Sequence, residues 1–384
     1  MKTNGRMFRA LALTAVLATL TLVASAQTSI FQIVPTPDQN EFNNALYASS
    51  ASSPNDIWAV GNTTIHFNGK HWKDFPAPGA MDDSSHLSGV LTFSPTLAWA
   101  GGGGDDKGQI IDQWNGKKWE RLQGLPFPPA YYPYVMTMSA TSANDIWVTG
   151  SIDPLHENYQ LFFEHWNGTF WETNNFLPGA VAWLYGASQD ATNDAWAVGF
   201  FLVEDEYETP LAVHYNGSDW IVADLPFPQG AQNAQLQGVL ALAPNNVWAV
   251  GWQNSAAPYY YTNTTLIYHF DGHSWTIVPS PDATGTSLMG IVANSANDMY
   301  AFGFSADPSG YGFDSLVVHW DGNEWTIIPS PNPRNNANYI QNDLLTGVVP
   351  SPGNVWIFGE QFDSPHGICT DGNCTLAIHT TGGD

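Results

Sequence analysis

The chain alternates short apolar runs with clusters of Asn, Asp, Gly and Pro, and it does so in a fixed rhythm. One cycle reads LQGVLALA (236–243), then NNVWAVG (245–251), a loop, TLIYHF (265–270), Asp-Gly, and SWTIVPSP (274–281). These runs are short and dense in β-branched and aromatic residues, so each reads as a strand. Asn and Asp suit the turn before the second run, because their side chains bond nearby backbone and tolerate unusual φ. The Asn-Gly or Asp-Gly before the fourth run predicts a tight type I′ hairpin, which needs positive φ at both central residues. Prolines end the fourth run because they cannot donate to a sheet. No segment beyond the N-terminus has convincing helical periodicity.

The cycle recurs seven times. Its second run returns as NDIWAVG (55–61), LAWAGG (97–102), NDIWVTG (144–150), NDAWAVG (193–199), NNVWAVG (245–251), NDMYAFG (297–303) and GNVWIFG (353–359). Its third and fourth return as HFNGKHW (66–72), QWNGKKW (113–119), HWNGTFW (165–171), HYNGSDW (214–220), HFDGHSW (269–275) and HWDGNEW (319–325). A period of about 50 residues marks a repeat architecture. Four strands per repeat match a β-propeller blade. The expected fold is all-β: a seven-bladed β-propeller with four antiparallel strands per blade. The last repeat ends at LAIHTTGGD (376–384), without a fourth strand, while IFQIVPTPD (30–38) resembles SWTIVPSPD (274–282). Residues 30–36 are therefore expected to complete the last blade, pairing with the strand that contains Ile378 and closing the ring without an open edge.

Residues 1–26 stand apart. Lys2, Arg6 and Arg9 precede an apolar stretch to about Val23 and a small-residue cleavage site, Ala24-Ser25-Ala26. This is the pattern of a secretory signal peptide. The expected mature protein is one domain, 27–384, exported and extracellular, with no membrane insertion. Its charge is sparse and one-sided: the whole chain carries 10 Lys and Arg against 35 Asp and Glu, a net charge of −25. Such a surface repels nucleic acid and anionic lipid, and it favours cations or basic partners. Two cysteines, Cys369 and Cys374, lie in GICTDGNCT (367–375). In an exported chain they are expected to form a disulfide across a small hairpin.

The pattern NDxWAVG…HWNGxxW resembles the repeats of secreted bacterial β-propellers of the kelch-like and galactose-oxidase-central-domain-like type. Kelch repeats proper carry a Gly-Gly pair in the second strand; here only AGGGG (100–104) has one. The resemblance covers nearly all of 27–384 and implies the fold. It says little about function, since propellers host many unrelated activities.

The repeated residues read as scaffold. Trp58, Trp147, Trp196, Trp248 and Trp356, with Trp99 and Tyr300, are expected to pack blade on blade. His66, His165, His214, His269, His319 and His379 hold one equivalent position, filled by Gln113 in the second repeat. Equivalent positions in different blades cannot converge on one metal. By analogy with WD-repeat propellers, each His is expected to bond the turn Asp, such as Asp56 or Asp145, although Asn246 and Asn354 interrupt that pattern.

Function then belongs where the copies differ. The loops between strands two and three diverge most, and they share a face with the links between blades. Tyr131, Tyr132, Trp252, Tyr259, Tyr260 and Tyr261 are the candidate ligand contacts there, suited to a glycan or an extracellular protein. No cofactor is implied, and metal binding by the acidic loops is left open. Asp82, Asp83, Asp153, Glu157, Glu204, Asp205, Asp307 and Asp314 fall on the same face, so a glycan-active hydrolase or lyase is an alternative. Against catalysis, the chain lacks sialidase Asp boxes, has only Arg121 and Arg334 beyond residue 26, and has no G-x-S-x-G or HExxH motif. The leading expectation is a non-catalytic binding propeller. A further alternative is an extracellular structural subunit that associates with itself through the N-terminal strand.

Overall fold

The computed structural model describes residues 29–39, 43–80, 85–104, 108–122, 134–152, 160–176, 181–203, 207–255, 262–281, 283, 285–307, 312–333, 340–363 and 372–380. These hold 28 strands and one short 3-10 turn, Pro78–Ala80. Five separate four-stranded antiparallel sheets span 46–74, 85–121, 134–176, 182–222 and 233–277. The other eight strands form one sheet, in which a two-residue parallel bridge, Gly312↔Ile340 and Phe313↔Gln341, joins two further four-stranded units. The architecture is thus an all-β propeller, and 28 strands in units of four fit seven blades.

The last blade takes its fourth strand from the other end of the chain. Phe31–Ile33 pairs antiparallel with Asn373–Thr380 in the register Phe31↔Thr380, Gln32↔His379 and Ile33↔Ile378. This is the pairing anticipated from the truncated seventh repeat. Phe31 takes the place of the strand-four Trp of other blades and meets Tyr300 edge-on at 5.8 Å.

The core is distributed between blades. Seven buried clusters each span two neighbours, and one of them joins Leu46, Ile57, Ala59 and Ile65 of the first blade to Trp356, Phe358 and Ala377 of the last. The recurring tryptophans supply the contacts. Trp58 meets Trp119 of the next blade at 4.9 Å, Trp196 meets Trp275 at 5.2 Å, and Trp356 meets Trp72 at 5.3 Å. Both halves of the repeat keep a Trp because each is one side of such a contact.

Two glycine positions explain the rest of the motif. The Gly of WAVG runs beside the carbonyl of the first strand: a Cβ at Gly61, Gly199 or Gly359 would lie 1.8–2.0 Å from the carbonyl oxygen of Ala45, Trp183 or Asp343. No side chain fits so close an approach of backbones. The hairpin glycines are left-handed, from Gly116 (φ 84) to Gly272 (φ 93). The hairpin itself is longer than the sequence suggests. Phe67 pairs with Trp72, so residues 68–71 form a four-residue loop, not a two-residue type I′ turn. Asn68 Oδ1 accepts from the backbone N–H groups of Lys70 (3.1 Å) and His71 (3.0 Å). The Asn side chain thus stands in for a strand partner, the Asx role that short polar residues favour in turns.

Candidate functional site: the mouth of the central channel

The repeated His positions are tied into the blades. His66, His165, His214 and His319 bond Asp56, Asp145, Asp194 and Asp298 through Nε2 at 2.7–2.8 Å. Where Asn replaces the Asp, the contact persists: His269 to Asn246 at 3.0 Å and His379 to Asn354 at 2.7 Å. Each ring also lies against the anchor aromatic of its own blade, for example His214 on Trp196 at 4.2 Å. The second blade has its own device. Asp112, fully buried, receives Arg121 Nε at 2.5 Å and the Gly79 N–H at 2.7 Å.

What differs between blades lies along the axis. Every first strand carries a bulge at the same place, just after its buried Leu or Val: between Leu46 and Ala48, Leu87 and Gly89, Val135 and Thr137, Leu184 and Gly186, Leu236 and Gly238, Leu288 and Gly290, and Leu344 and Thr346. A bulge inserts one unpaired residue and re-aims its side chain. The inserted residues are Tyr47, Ser88, Met136, Tyr185, Gln237, Met289 and Leu345. All but Met136 line a central cavity of about 180 Å³ bounded by all seven first strands. Seven equivalent seats thus carry five different residue types.

Two residues before each of these, toward the strand two–three loops, stand Ala45, His86, Tyr134, Trp183, Gln235, Ser287 and Asp343. Their cross-strand partners differ as well: His86 faces Gly103, Tyr134 faces Ser151, Trp183 faces Phe200, Gln235 faces Trp252, Ser287 faces Phe304 and Asp343 faces Glu360. This end of the channel is therefore divided into sectors. In the fourth blade Trp183 stacks on Phe200 at 4.8 Å, and Tyr185 joins at 5.9 Å. In the fifth, Gln237 Nε2 donates to Gln235 Oε1 at 2.9 Å. Between the fifth and sixth, buried Asn233, Asn254, Asn263 and Ser287 form a chain of amide hydrogen bonds of 3.0–3.2 Å.

The seventh, first and second blades make the charged sector. Burial pushes the Asp343 carboxyl up to about 6, although Gln341 Nε2 donates to its Oδ2. Burial, and then the neighbouring Asp343 charge, push Glu360 up to about 7, against the opposing bond from Asn373 Nδ2. Tyr47 sits close enough that burial first, and the Glu360 charge second, raise its hydroxyl well above the ordinary phenol value. The Tyr47 ring meets His86 edge-on at 5.1 Å, and the Tyr134 hydroxyl bonds the His86 imidazole. Burial lowers the His86 pKa, which keeps that ring neutral near pH 7.

Of the ligand contacts expected from sequence, Trp252 belongs to the strand Asn246–Asn254 and not to a loop; it is 8% exposed. Its loop assignment is corrected by its pairing with both Gln235 and Thr265, which makes it a middle-strand residue. Tyr131, Tyr132, Tyr259, Tyr260, Tyr261 and Cys369 lie outside the described residues, as do Asp82, Asp83, Asp153, Glu157, Glu204 and Asp205. Cys374 is 8% exposed, and no cysteine is free among the described residues. Asp307 is buried, and Asp314 lies within the strand Gly312–Trp320. No three His, Cys, Asp or Glu side chains among the described residues are grouped to hold a metal ion. Sequence reasoning did not find the channel seats or the Asp343–Glu360 pair. The available signal was the residue after each buried Leu or Val, which changes from copy to copy while its neighbours repeat.

Solved structures resemble this fold at low sequence identity. YCF48 bound to D1 peptide matches with a TM-score of 0.53 at 12% identity, over 91% of this chain and 98% of that one. YCF48 from Cyanidioschyzon merolae gives 0.54 at 13%, over 92% and 99%. The WD40 β-propeller domain of Doa1 gives 0.55 at 12%, over 93% and 98%. These likenesses establish a propeller and nothing finer. No protein-family model and no curated protein matches the chain.

Proposed function

We propose that this chain is a non-catalytic, secreted binding propeller whose ligand, a protein segment or a glycan, docks on the face of the strand two–three loops. The observation that carries the reading is asymmetry at one end of a symmetric scaffold. The positions that repeat hold blades together; the positions that vary line the channel and its mouth at that end. A propeller that served only as a spacer would have no need of an aromatic sector, an amide sector and an acid sector there. In this reading residues 1–26 direct export, Phe31–Ile33 closes the ring within its own chain, and Cys369 bonds Cys374 to brace the seventh-blade loop. The tyrosines at 131, 132 and 259–261 would flank the mouth.

The test replaces Tyr259, Tyr260 and Tyr261 together with Ala and measures binding to a glycan array and to immobilised extracellular proteins. Binding that falls about tenfold or more in a well-folded variant supports the reading. Undiminished binding, or a ligand on the opposite face, overturns it. Intact mass with and without reduction tests the disulfide; two alkylated thiols in unreduced secreted protein would refute it.

A further inference from the structure

Among the described residues, the charged sector of the mouth holds two carboxyl groups with no Lys or Arg paired to them. Asp343 and Glu360 are cross-strand neighbours. Asp343 is 6% exposed, and its Oδ1 has no hydrogen-bond partner. Among the described residues the Lys and Arg ion pairs are Lys118–Glu120 and Arg121–Asp112, both in the second blade and neither near this site. The imidazole of the cluster, His86, is held by the Tyr134 hydroxyl. A buried carboxylate oxygen left without a donor is costly, and proteins seldom leave one so.

The channel cavity begins two residues further along the Asp343 strand, where Leu345 and Thr346 line it. Tyr47 is the link: it lines the channel and its hydroxyl feels the Glu360 charge. Tyr185 and Gln237 line the same space. A volume of about 180 Å³ holds several waters or a short extended aliphatic chain. Two carboxylates beyond an aromatic-lined passage make a site for a cation with an apolar stem, since rings and carboxylates both attract it. The same charges repel an anion. A neutral sugar hydroxyl would supply a donor but leave the charge in place. A guanidinium prefers one carboxylate presented flat to its fork, whereas an ammonium divides its three donors between separate oxygens.

We infer that the channel mouth binds a primary ammonium group on an aliphatic stem, with Asp343 and Glu360 as its counter-ions and Tyr47 beside it. The inference rests on the proposed binding face and gives it a ligand class. Two sources share this chemistry, a lysine side chain of a partner protein and a free diamine.

The experiment titrates the whole secreted protein with capped lysine (the Nα-acetyl methylamide), 1,5-diaminopentane and 1-pentanol, by calorimetry. Saturable binding of either amine, with none of the alcohol, is expected. Capped lysine binding tighter than the diamine identifies a protein partner; the reverse identifies a free amine; either supports the ammonium site. Asp343→Asn and Glu360→Gln should each weaken amine binding about ten- to a hundredfold, as expected for losing a charge-assisted bond. Tyr47→Leu, which leaves both acids, should weaken it several-fold and guards against a misfolded acid variant. Alcohol binding equal to amine binding, or no amine binding, or unchanged affinity in the acid variants, overturns the inference. If the Tyr259–Tyr261 replacement abolishes partner binding while no amine binds, the face stands and the ammonium site falls.

Discussion

Glu360→Gln should change the pH dependence of stability in a defined window. The folded protein holds the Glu360 carboxyl at about 7, against an ordinary 4.5. The folded state therefore binds more protons than the unfolded one between those values. Unfolding free energy must then fall as pH rises through that window, and level off above it. Each pKa unit corresponds to about 1.4 kcal/mol, so ionising Glu360 in place costs about 3 kcal/mol by pH 8. Asp343 adds a fall of the same sign between 3.8 and about 6. Glutamine has nearly the shape of protonated glutamate and cannot ionise. Wild type and variant should match at pH 4, and the variant should gain about 2–3 kcal/mol by pH 8, keeping only the Asp343 limb. Urea unfolding at pH 4, 6 and 8, read as the difference between the two proteins, isolates this pair from all other carboxylates. Parallel curves, or a variant less stable than wild type at pH 8, would refute the reasoning.

Phe31→Ala should cost about 3 kcal/mol, because a 3%-exposed ring packed on Tyr300 leaves a cavity; an unchanged melt would show that the N-terminal strand contributes nothing. His66→Ala leaves the 1%-exposed Asp56 with fewer donors, whereas His269→Ala leaves only the neutral Asn246. The first should exceed the second by about 1 kcal/mol in urea unfolding, and equal losses would count against the charge argument. Arg121→Ala strips a fully buried Asp112 of its cation; because the Arg121 side chain is 34% exposed, the cost should be about 2 kcal/mol, below that of a fully buried pair. A loss below about 0.5 kcal/mol, the scale of a surface pair, would contradict that account.

The blades were legible because their residues answer to local and repeated demands. Trp196 and Trp275 recur since each blade needs both sides of the same contact, and Gly199 recurs since two backbones touch there. Even the join of the chain ends could be read, from the likeness of IFQIVP to SWTIVP. The hairpin length was misjudged because Asn68 serves as a backbone substitute in a four-residue loop, which the dipeptide Asn-Gly does not distinguish from a tighter turn. The channel mouth was missed for a different reason. Asp343 and Glu360 are 17 positions apart in ordinary strand patterns, and only the pairing of two strands across a bulge sets them side by side. Trp252 was placed in a loop because strand two runs past its Gly further in the fifth repeat than the motif indicates.

The pairing of Phe31–Ile33 with residues 378–380 has a consequence for the order of events in biogenesis. The strand that finishes the seventh blade is synthesised well before its partner. Sheets such as 46–74 need only local segments and can assemble early, whereas this one must wait for the far end to arrive. Closing so long a loop is slow, although its entropic cost grows only with the logarithm of length. Until then Phe31 and the open side of the last blade are both uncovered. A chain truncated before residue 373 would keep the five separate sheets and the four strands of the sixth blade yet never reach the native end state, leaving that edge bare.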